Sequence, residues 1–328
     1  MTTPIIEPAL SVVMPTFNNE PVLRRAIASW RAPAVRNGVE LIVVEDGCKD
    51  GTRAFLDREA ETAWGARHLR VLHLDDAHEL RCTNAGMRAA RAPLVMAWQD
   101  DMFVRGEWLV PELLRVFRDH SDIGLMSLSR GLDHHPLDEP IGTWADLIDW
   151  RRLRSTIGPF PWNWFRIQEV DGVIRPWIVR RACLERVGDL DEAFVPTEWD
   201  EADLACRIRQ AGWKVATCGY ERLRGYDHLG SSTLGTLSDA YLQRVLKNGR
   251  LFHQRWDAAI VRDHGRTRQT WSRPQSVSGW LNTLRQIGTA ATVRAGRKLK
   301  SSNRTPRAAD SRQRTPDGVP RQHQLPTS

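Results

Sequence analysis

The stretch "ELIVVEDGCKDGT", residues 40–52, places an apolar run directly before two acids and two glycine turns. Four consecutive apolar residues predict a strand that is buried on both faces, as in a parallel sheet. Glu45 and Asp46 end this strand, and Gly47 lets the chain turn away from them. We therefore expect these two carboxylates to face a ligand.

Similar apolar runs recur along the chain, with helical patterns between them. Strands are predicted at residues 10–14, 40–44, 69–74, 93–98 and 123–129. Helical patterns follow Pro21 and cover residues 83–90, 106–117, 200–210 and 237–256. Alternating strands and helices predict an α/β fold, a doubly wound and mostly parallel sheet with helices on both faces, followed by C-terminal helices.

Polar segments follow three of the predicted strands. They are "PTFNNE" after the first, "EDG" after the second and "QDDM" after the fourth. Ligands of such sheets bind at the carboxyl ends of the strands. The three segments are therefore expected to line one cleft.

The positive charge of the chain is concentrated at its end. The 328 residues carry a net charge of +7, but residues 265–328 contain 13 Lys and Arg against 2 Asp and Glu. The rest of the chain is mildly acidic, which argues against a nucleic-acid-binding core. We predict two halves of the folded part, residues 1–130 and 131–264, and a basic tail at 265–328.

Cysteine usage and hydropathy indicate a reduced compartment. Five scattered cysteines form no metal-binding or disulfide pattern. Neither a signal peptide nor an apolar run of membrane-spanning length is recognised. The sequence thus predicts a cytoplasmic protein.

Two common phosphate-binding motifs are missing. The sequence contains no GxxxxGK[ST], and no GxGxxG follows the first strand. What remains is carboxylates after strands, which suit a hard divalent cation that bridges phosphate oxygens. Each acid taken alone could equally be a solvated turn residue.

Five motifs, in this order, resemble family 2 glycosyltransferases. They are "SVVMPTFNNEPVLRRAIAS", "LIVVEDGCKDGT", "TNAGMRAARAPLVMAWQDDMFVRGEWL", "ERVGDLDEAFVPTEWDEADLACRIRQAGWKV" and "HLGSS". The resemblance spans about residues 9–256. It implies that residues 1–130 are the nucleotide-sugar-binding half and residues 131–264 the acceptor-binding and catalytic half with a C-terminal helix. Within the family, "DMFVRGEWL" and "GRLFHQRW" are most similar to rhamnosyl-type and cell-surface polysaccharide enzymes.

The resemblance implies a GT-A fold, a nucleotide-sugar donor, a divalent metal (Mn²⁺ or Mg²⁺) and inversion at the anomeric carbon. It places Thr16 and Phe17 in the nucleoside-contacting turn, with Glu45 beside Asp46, which accepts hydrogen bonds from the nucleobase. It also brings Arg81 and Asn84 toward the diphosphate, although Thr83 stands where the family's arginine usually precedes the asparagine.

The metal motif of the family matches "QDD", residues 99–101, with Asp101 at the metal-binding position. Gln99 stands where the motif has its first acid. Asp100, which would contact the donor, could take the role of that acid. His228 of "HLGSS" matches a histidine that approaches the metal or the diphosphate.

The catalytic base of the family lies in a Glu-Asp pair, whose order is inverted here. Alignment on Asp203 and Arg207 places Glu201 at the base position, with Asp200 as the alternative. Both could instead be acids that favour the N-terminus of a helix. A base is required to deprotonate the acceptor hydroxyl as it attacks.

Three alternatives stay open. The chain could be a catalytically inactive sugar-nucleotide-binding protein, or a nucleotidyltransferase, although the latter should carry a glycine-rich basic loop. The third concerns residues 276–300, where an apolar helical stripe adjoins basic residues. This segment could pack on the catalytic domain or lie on an anionic membrane beside a lipid-linked acceptor.

Overall fold

The computed structural model describes residues 7–129, 131–134, 166–220, 225–230 and 239–273. Trp144, Trp150, Trp162, Trp164 and the segment 276–300 lie outside these residues. The strands are β1 (Leu10–Thr16), β2 (Val39–Asp46), β3 (Leu69–Leu74), β4 (Leu94–Ala97), β5 (Met102–Val104), β6 (Ile123–Ser127), β7 (Gly131–Leu132), β8 (Arg166–Glu169), β9 (Gly172–Val173), β10 (Trp177–Arg180), β11 (Lys214–Thr217), β12 (Tyr226–His228) and β13 (Thr270–Ser272).

The described residues form eight helices. They are α1 (Glu20–Asn37), α2 (Thr52–Glu61), α3 (Gly65–His68), α4 (His78–Ala89), α5 (Leu109–Asp119), α6 (Arg181–Val187), α7 (Asp200–Gln210) and α8 (Asp239–Asp263). Five of these eight helices, α1, α4, α5, α7 and α8, overlap the predicted helical patterns. Helix α1 has Pro21 in its first turn, where the missing N–H costs nothing. It ends at Gly38, whose φ of 63° is the left-handed conformation that favours glycine.

Nine strands form the central sheet in the order β13-β8-β11-β6-β10-β4-β1-β2-β3. Strands β3, β2, β1 and β4 pair in parallel, and so do β6 and β11. Strand β10 lies antiparallel between β4 and β6. All five strands predicted from apolar runs are present. The predicted α/β class with a mostly parallel sheet is confirmed.

Helices cover both faces of this sheet, because the side chains of each strand alternate between two cores. Val12 and Met14 of β1 enter the core that holds α1, α2 and α5. Val13 enters the other core, which holds α4, α6, α7 and α8. Helix α4 lies very close to β1, since a Cβ at Gly86 would stand 2.2 Å from a Val13 methyl group.

Strand β13 closes one edge of the sheet, although it follows residue 265, where the basic tail was expected to begin. It pairs with β8, and Trp271 is buried there. The buried guanidinium of Arg273 bonds both carboxylate oxygens of Glu112 on α5. All described residues lie in one compact unit, residues 1–287.

Two short antiparallel ribbons accompany the sheet. Strand β5 pairs with β12, which sets His228 opposite Met102, and β7 pairs with β9. Among the described residues, no helix is both long and apolar enough to cross a membrane.

Candidate active site

The carboxyl ends of β1 and β4 are joined by a side-chain hydrogen bond. The hydroxyl of Thr16, the last residue of β1, donates to Asp100 Oδ2 at 2.7 Å. Phe17 follows in the turn with 59% of its surface exposed. The predicted nucleoside-contacting turn therefore offers an exposed aromatic ring next to the acids after β4.

The two acids at the end of β2 are already engaged within the protein. Glu45 is fully buried; it accepts from the Cys48 N–H and lies 2.9 Å from the imidazole of His73. Both oxygens of Asp46 accept main-chain N–H groups, from Ala77 at 2.6 Å and from His78 at 2.9 Å. Asp46 thus fixes the start of α4 relative to the end of β2.

Helix α4 carries the two residues predicted near the diphosphate. Arg81 is half exposed and pairs with Glu192 at 3.0 Å. Asn84 is buried, and its amide donates to the carbonyl of Leu190 and accepts from the same residue's N–H. Asn84 therefore fastens the segment around Leu190 to α4, whereas Arg81 faces solvent.

Asp101 and His228 form the candidate metal pair. The buried Asp101 carboxylate lies 3.4 Å from His228 Nε2, and the Asp101 carbonyl accepts the Leu229 N–H. Burial raises the pKa of the neighbouring Asp100 to about 6, with the charges of Asp101 and Glu79 adding to the effect and hydrogen bonds from Thr16 and Asn19 opposing it.

The side chains of Asp101 and His228 can be tested for their fit to a metal ion. Among the described residues, no group of three or more His, Cys, Asp or Glu is arranged to hold an ion. Asp101 and His228 supply two ligands, one oxygen and one imidazole nitrogen. Such a pair fits a cation that takes its remaining ligands from donor phosphates and water, as Mg²⁺ commonly does in phosphate-binding sites.

The inverted acid pair opens α7, with Asp200 buried and the Glu201 side chain 17% exposed. Arg175 Nε lies 2.6 Å from Glu201 Oε1, and its Nη2 lies 3.9 Å from Asp200 Oδ2. The indole N–H of Trp177 also donates to Glu201 Oε1, at 2.9 Å. Burial raises the pKa of Asp200 to about 7; the charge of Glu201 adds to this and Arg175 opposes it. Burial also raises the pKa of Glu201, again against Arg175.

A strained turn sets the direction of this acid pair. Glu198 and Trp199, directly before α7, have φ of 80° and 69°, a conformation that costs on the order of 1–3 kcal/mol in residues other than glycine. The side-chain amide of Asn248 on α8 donates to the carbonyls of Phe194 and Thr197, at 2.7 and 2.9 Å. These bonds hold the turn in place.

The remaining residues of the "DLACR" motif attach α7 to its neighbours. The fully buried Asp203 accepts from Arg207 at 2.8 Å and from the Trp256 indole at 2.9 Å. Arg207 also donates to the carbonyls of Val187 and Asp189. The Asp203–Arg207 ion pair is therefore part of the packing of α7 against α8.

The charge of Glu79 connects the two groups of acids. Glu79 lies in the first turn of α4 and forms an ion pair with Arg175. Its charge raises the pKa of Asp100 on one side and of Asp200 and Glu201 on the other. Glu79 therefore lies near enough to both Asp100 and the acid pair for its charge to act on their pKa values.

Four residues around the acid pair were not identified from the sequence. They are Glu79, Arg175, Trp177 and Asn248. Glu79 is one more acid in a helical turn, and "IRPW" resembles an ordinary loop before a strand. Their proximity to the acid pair depends on tertiary contacts. No local pattern of the sequence indicates them.

The model of "Glycosyl transferase family 2" matches residues 11–159 of the chain. The predicted resemblance to family 2 glycosyltransferases is confirmed. The matched residues include β1, β2, β4 and the "QDD" segment. The match supports glycosyl transfer as the chemistry of the cleft.

Solved structures similar to this chain include two bacterial and archaeal proteins. The mannosyltransferase PcManGT from Pyrobaculum calidifontis, in complex with GDP-Man and Mn²⁺, is 16% identical, with a TM-score of 0.45 over 88% of this chain and 81% of that one. Residues 1–349 of S. aureus TarS are 15% identical, with a TM-score of 0.42 over 86% and 80%. A comparison with curated proteins finds no match.

Proposed function

We propose that the protein is an inverting glycosyltransferase that moves a sugar from a nucleoside-diphosphate donor to a hydroxyl of a glycan or lipid-linked acceptor. The observation that carries the proposal is the 3.4 Å approach of Asp101 to His228 after β4, with the acid pair Asp200 and Glu201 at the start of α7 as the candidate base. A cleft with both groups holds what a single displacement needs, a place for the diphosphate and a base for the acceptor.

The donor lies, in this proposal, along the carboxyl ends of β1, β2 and β4. The exposed ring of Phe17 stacks on the nucleobase, next to Thr16 and Glu45. Asp46 uses two of its lone pairs on α4 and retains others for the base, since a carboxylate has about four acceptor sites. Arg81, being half exposed, is better placed for the diphosphate than Asn84, whose amide is bound to Leu190.

Asp101 and His228 hold a divalent cation, Mn²⁺ or Mg²⁺, against the donor phosphates, with Asp100 bonded to Thr16 beside them. When bound, such an ion neutralises the charge that develops on the leaving diphosphate, an effect worth several kcal/mol in the transition state.

Glu201 is the proposed base. Its carboxylate takes the proton of the acceptor hydroxyl while that oxygen bonds to the anomeric carbon and the bond to the diphosphate breaks, so the configuration inverts. The Trp177 indole donates to Oε1, and Arg175 Nε lies 2.6 Å from the same oxygen, so Oε2 is the oxygen assigned to the acceptor. Asp200 lies farther from Arg175, at 3.9 Å, and is the alternative base.

The sugar is proposed to be a hexose or rhamnose, and the product a cell-surface polysaccharide or cell-wall glycan. The same proposal places the enzyme in the cytoplasm, peripheral to the inner face of the membrane. Support comes from the motifs similar to rhamnosyl-type enzymes and from the basic residues after residue 265.

A donor panel tests the proposal. Purified protein is mixed with Mn²⁺ and UDP-, GDP- or dTDP-sugars, and release of nucleoside diphosphate is measured. A parallel reaction with nucleoside triphosphates and sugar 1-phosphates is assayed for pyrophosphate. We expect nucleoside diphosphate from one donor class and loss of this release in Asp101→Ala. Donor binding without release of either product would favour the inactive sugar-nucleotide-binding protein, and pyrophosphate alone would indicate a nucleotidyltransferase.

A further inference from the structure

Arg175 lies at the centre of the acid cluster. It precedes β10, its side chain is 8% exposed, and it contacts carboxylates from two helices. Glu79 approaches from α4, and Asp200 and Glu201 approach from the first turn of α7. One guanidinium therefore faces the buried carboxylate of Asp200 and the partly exposed carboxylates of Glu201 and Glu79.

The contacts of Arg175 are unequal. Its Nε lies 2.6 Å from Glu201 Oε1, whereas its distance to Asp200 Oδ2 is 3.9 Å. Trp177, two residues along the chain, donates to the same Glu201 oxygen. The Trp177 hydrogen bond and the adjacent positive charge of Arg175 both act on Oε1, and together they hold the carboxylate of Glu201 in one orientation.

The charge balance makes the proton distribution depend on Arg175. If all three carboxylates ionised, the cluster would carry two uncompensated negative charges, which is costly in a buried site. Oδ2 of Asp200 is buried without a hydrogen-bond partner among the described residues, and the pKa of Asp200 is about 7. Since Arg175 lies 2.6 Å from Glu201 and 3.9 Å from Asp200, its charge favours ionisation of Glu201 over ionisation of Asp200.

We propose that Arg175 is the positioning residue that orients Glu201 and keeps it ionised, and that Glu79 sets the strength of this effect from α4. The inference rests on the proposed function, because it takes Glu201 as the base. Glu79 competes with Glu201 for the same guanidinium and adds its own negative charge. Removing Arg175 and removing the charge of Glu79 consequently have opposite effects on the proton affinity of Glu201.

The pH titration of Glu201 measures these opposite effects of Arg175 and Glu79 directly. Glutamate carboxyl carbons are labelled with ¹³C, and the Glu201 resonance is assigned by its loss in Glu201→Gln. In Arg175→Gln we expect its titration to move to higher pH by about one to three units, the range for a carboxylate that loses an adjacent guanidinium. In Glu79→Gln we expect a shift to lower pH, and Arg175→Lys should restore most of the wild-type value.

The pH profile of donor turnover should show the same signs. Since the base acts when ionised, the acid limb of kcat/KM moves to higher pH in Arg175→Gln and to lower pH in Glu79→Gln. Arg180→Gln is the matched control, because this arginine of the same strand donates to the carbonyls of Phe117, His120 and Ile123. Its loss should reduce stability without moving the titration.

Shifts of the same sign in Arg175→Gln and Glu79→Gln, or a Glu201 resonance that titrates as in wild type in both, would overturn the inference. The resonance needs no donor, so it tests the link even if the proposed reaction is wrong. Conversely, full turnover by Glu201→Gln would refute Glu201 as the base while leaving the measured electrostatic link intact.

Discussion

The carboxylate of Asp101 and the imidazole of His228 lie 3.4 Å apart. Asp101 directly precedes β5, and His228 ends β12, the strand that pairs with β5. The loop after β4 provides the acid and a distant segment provides the histidine, so the ribbon creates the pair. Any cation bound there has both a hard and a borderline ligand, a combination that accepts Mn²⁺ at least as readily as Mg²⁺.

Removing the metal or its ligand is therefore expected to abolish turnover. EDTA and Asp101→Ala should each reduce nucleoside diphosphate release to background, and added Mn²⁺ should reverse only the chelator. Asp227→Asn is the control, because this acid of the same ribbon pairs with Arg105 instead. Full activity in the chelator would refute a metal-bridged donor.

The acid pair can be separated by amide substitutions. Glu201→Gln keeps the shape of the side chain but cannot accept a proton, so turnover should fall about 10²–10⁴-fold while donor binding persists. Asp200→Asn should lose far less. The reverse order, with Asp200→Asn inactive and Glu201→Gln near normal, would make Asp200 the base. Single-turnover rates and donor titration calorimetry distinguish these outcomes.

Asp200 also predicts how stability depends on pH. Burial raises its folded-state pKa to about 7, above the ordinary value of 3.8, so its stabilising contribution is present below about pH 4 and is lost as pH rises through 7. Asp200→Asn should therefore increase the free energy of unfolding at pH 8 by a few kcal/mol, since one pKa unit corresponds to about 1.4 kcal/mol. It should change little at pH 4.

Urea unfolding at the two pH values provides the measurement. The exposed Asp119, at the end of α5, supplies the control variant Asp119→Asn, which removes one charge without relieving burial. Equal effects of the two substitutions at pH 8 would contradict a buried, destabilising charge at Asp200.

Asn248 is expected to couple the stability of the Glu198–Trp199 turn to catalysis. Asn248→Asp keeps the size of the side chain but removes the N–H donors to Phe194 and Thr197, which should destabilise the fold by about 1–3 kcal/mol. Turnover should fall further than stability explains, because Asp200 and Glu201 follow the turn. Normal turnover in a destabilised but folded variant would show that the turn does not position the acids.

Membrane attachment through residues 276–300 stays a prediction, because this segment lies outside the described residues. Full-length protein should sediment with anionic vesicles at low salt and be released by added salt, since each basic residue near such a surface contributes about 1 kcal/mol. A truncated protein should end at Arg273 rather than near Arg266, so that β13 and the Arg273–Glu112 pair are kept.

Two comparisons test whether residues 276–300 attach the protein to the vesicles. Neutral vesicles should bind neither protein, and the truncated protein should keep donor turnover while losing vesicle binding. If both proteins ignore anionic vesicles, or if truncation unfolds the domain, the segment serves the fold instead.

The features predictable from the sequence are those that depend on short segments. Apolar runs mark β1, β2 and β4, and their carboxyl ends bring Thr16, Asp46 and Asp100 to one edge. Strand β10 was missed because its four residues, "WIVR", are too few to establish a pattern. The same limitation hid Arg175, whose partners lie on α4 and α7.

Asp46 illustrates a second limitation. Its position at the strand end is visible in the sequence, but its bonds to Ala77 and His78 depend on how α4 approaches β2. That approach is set by packing, including the close contact of Gly86 with Val13. The location of a polar residue is therefore easier to predict than its partners.

The insertion of β10 between β4 and β6 has a consequence for how the chain can assemble. Residues 1–130 cannot complete their own layer, because β6 reaches β4 only through a strand contributed some fifty residues later. A fragment ending at residue 130 should expose the unpaired edge of β4 and aggregate. Co-expression with residues 131–328 should rescue it, as expected for two pieces of one cooperative folding unit.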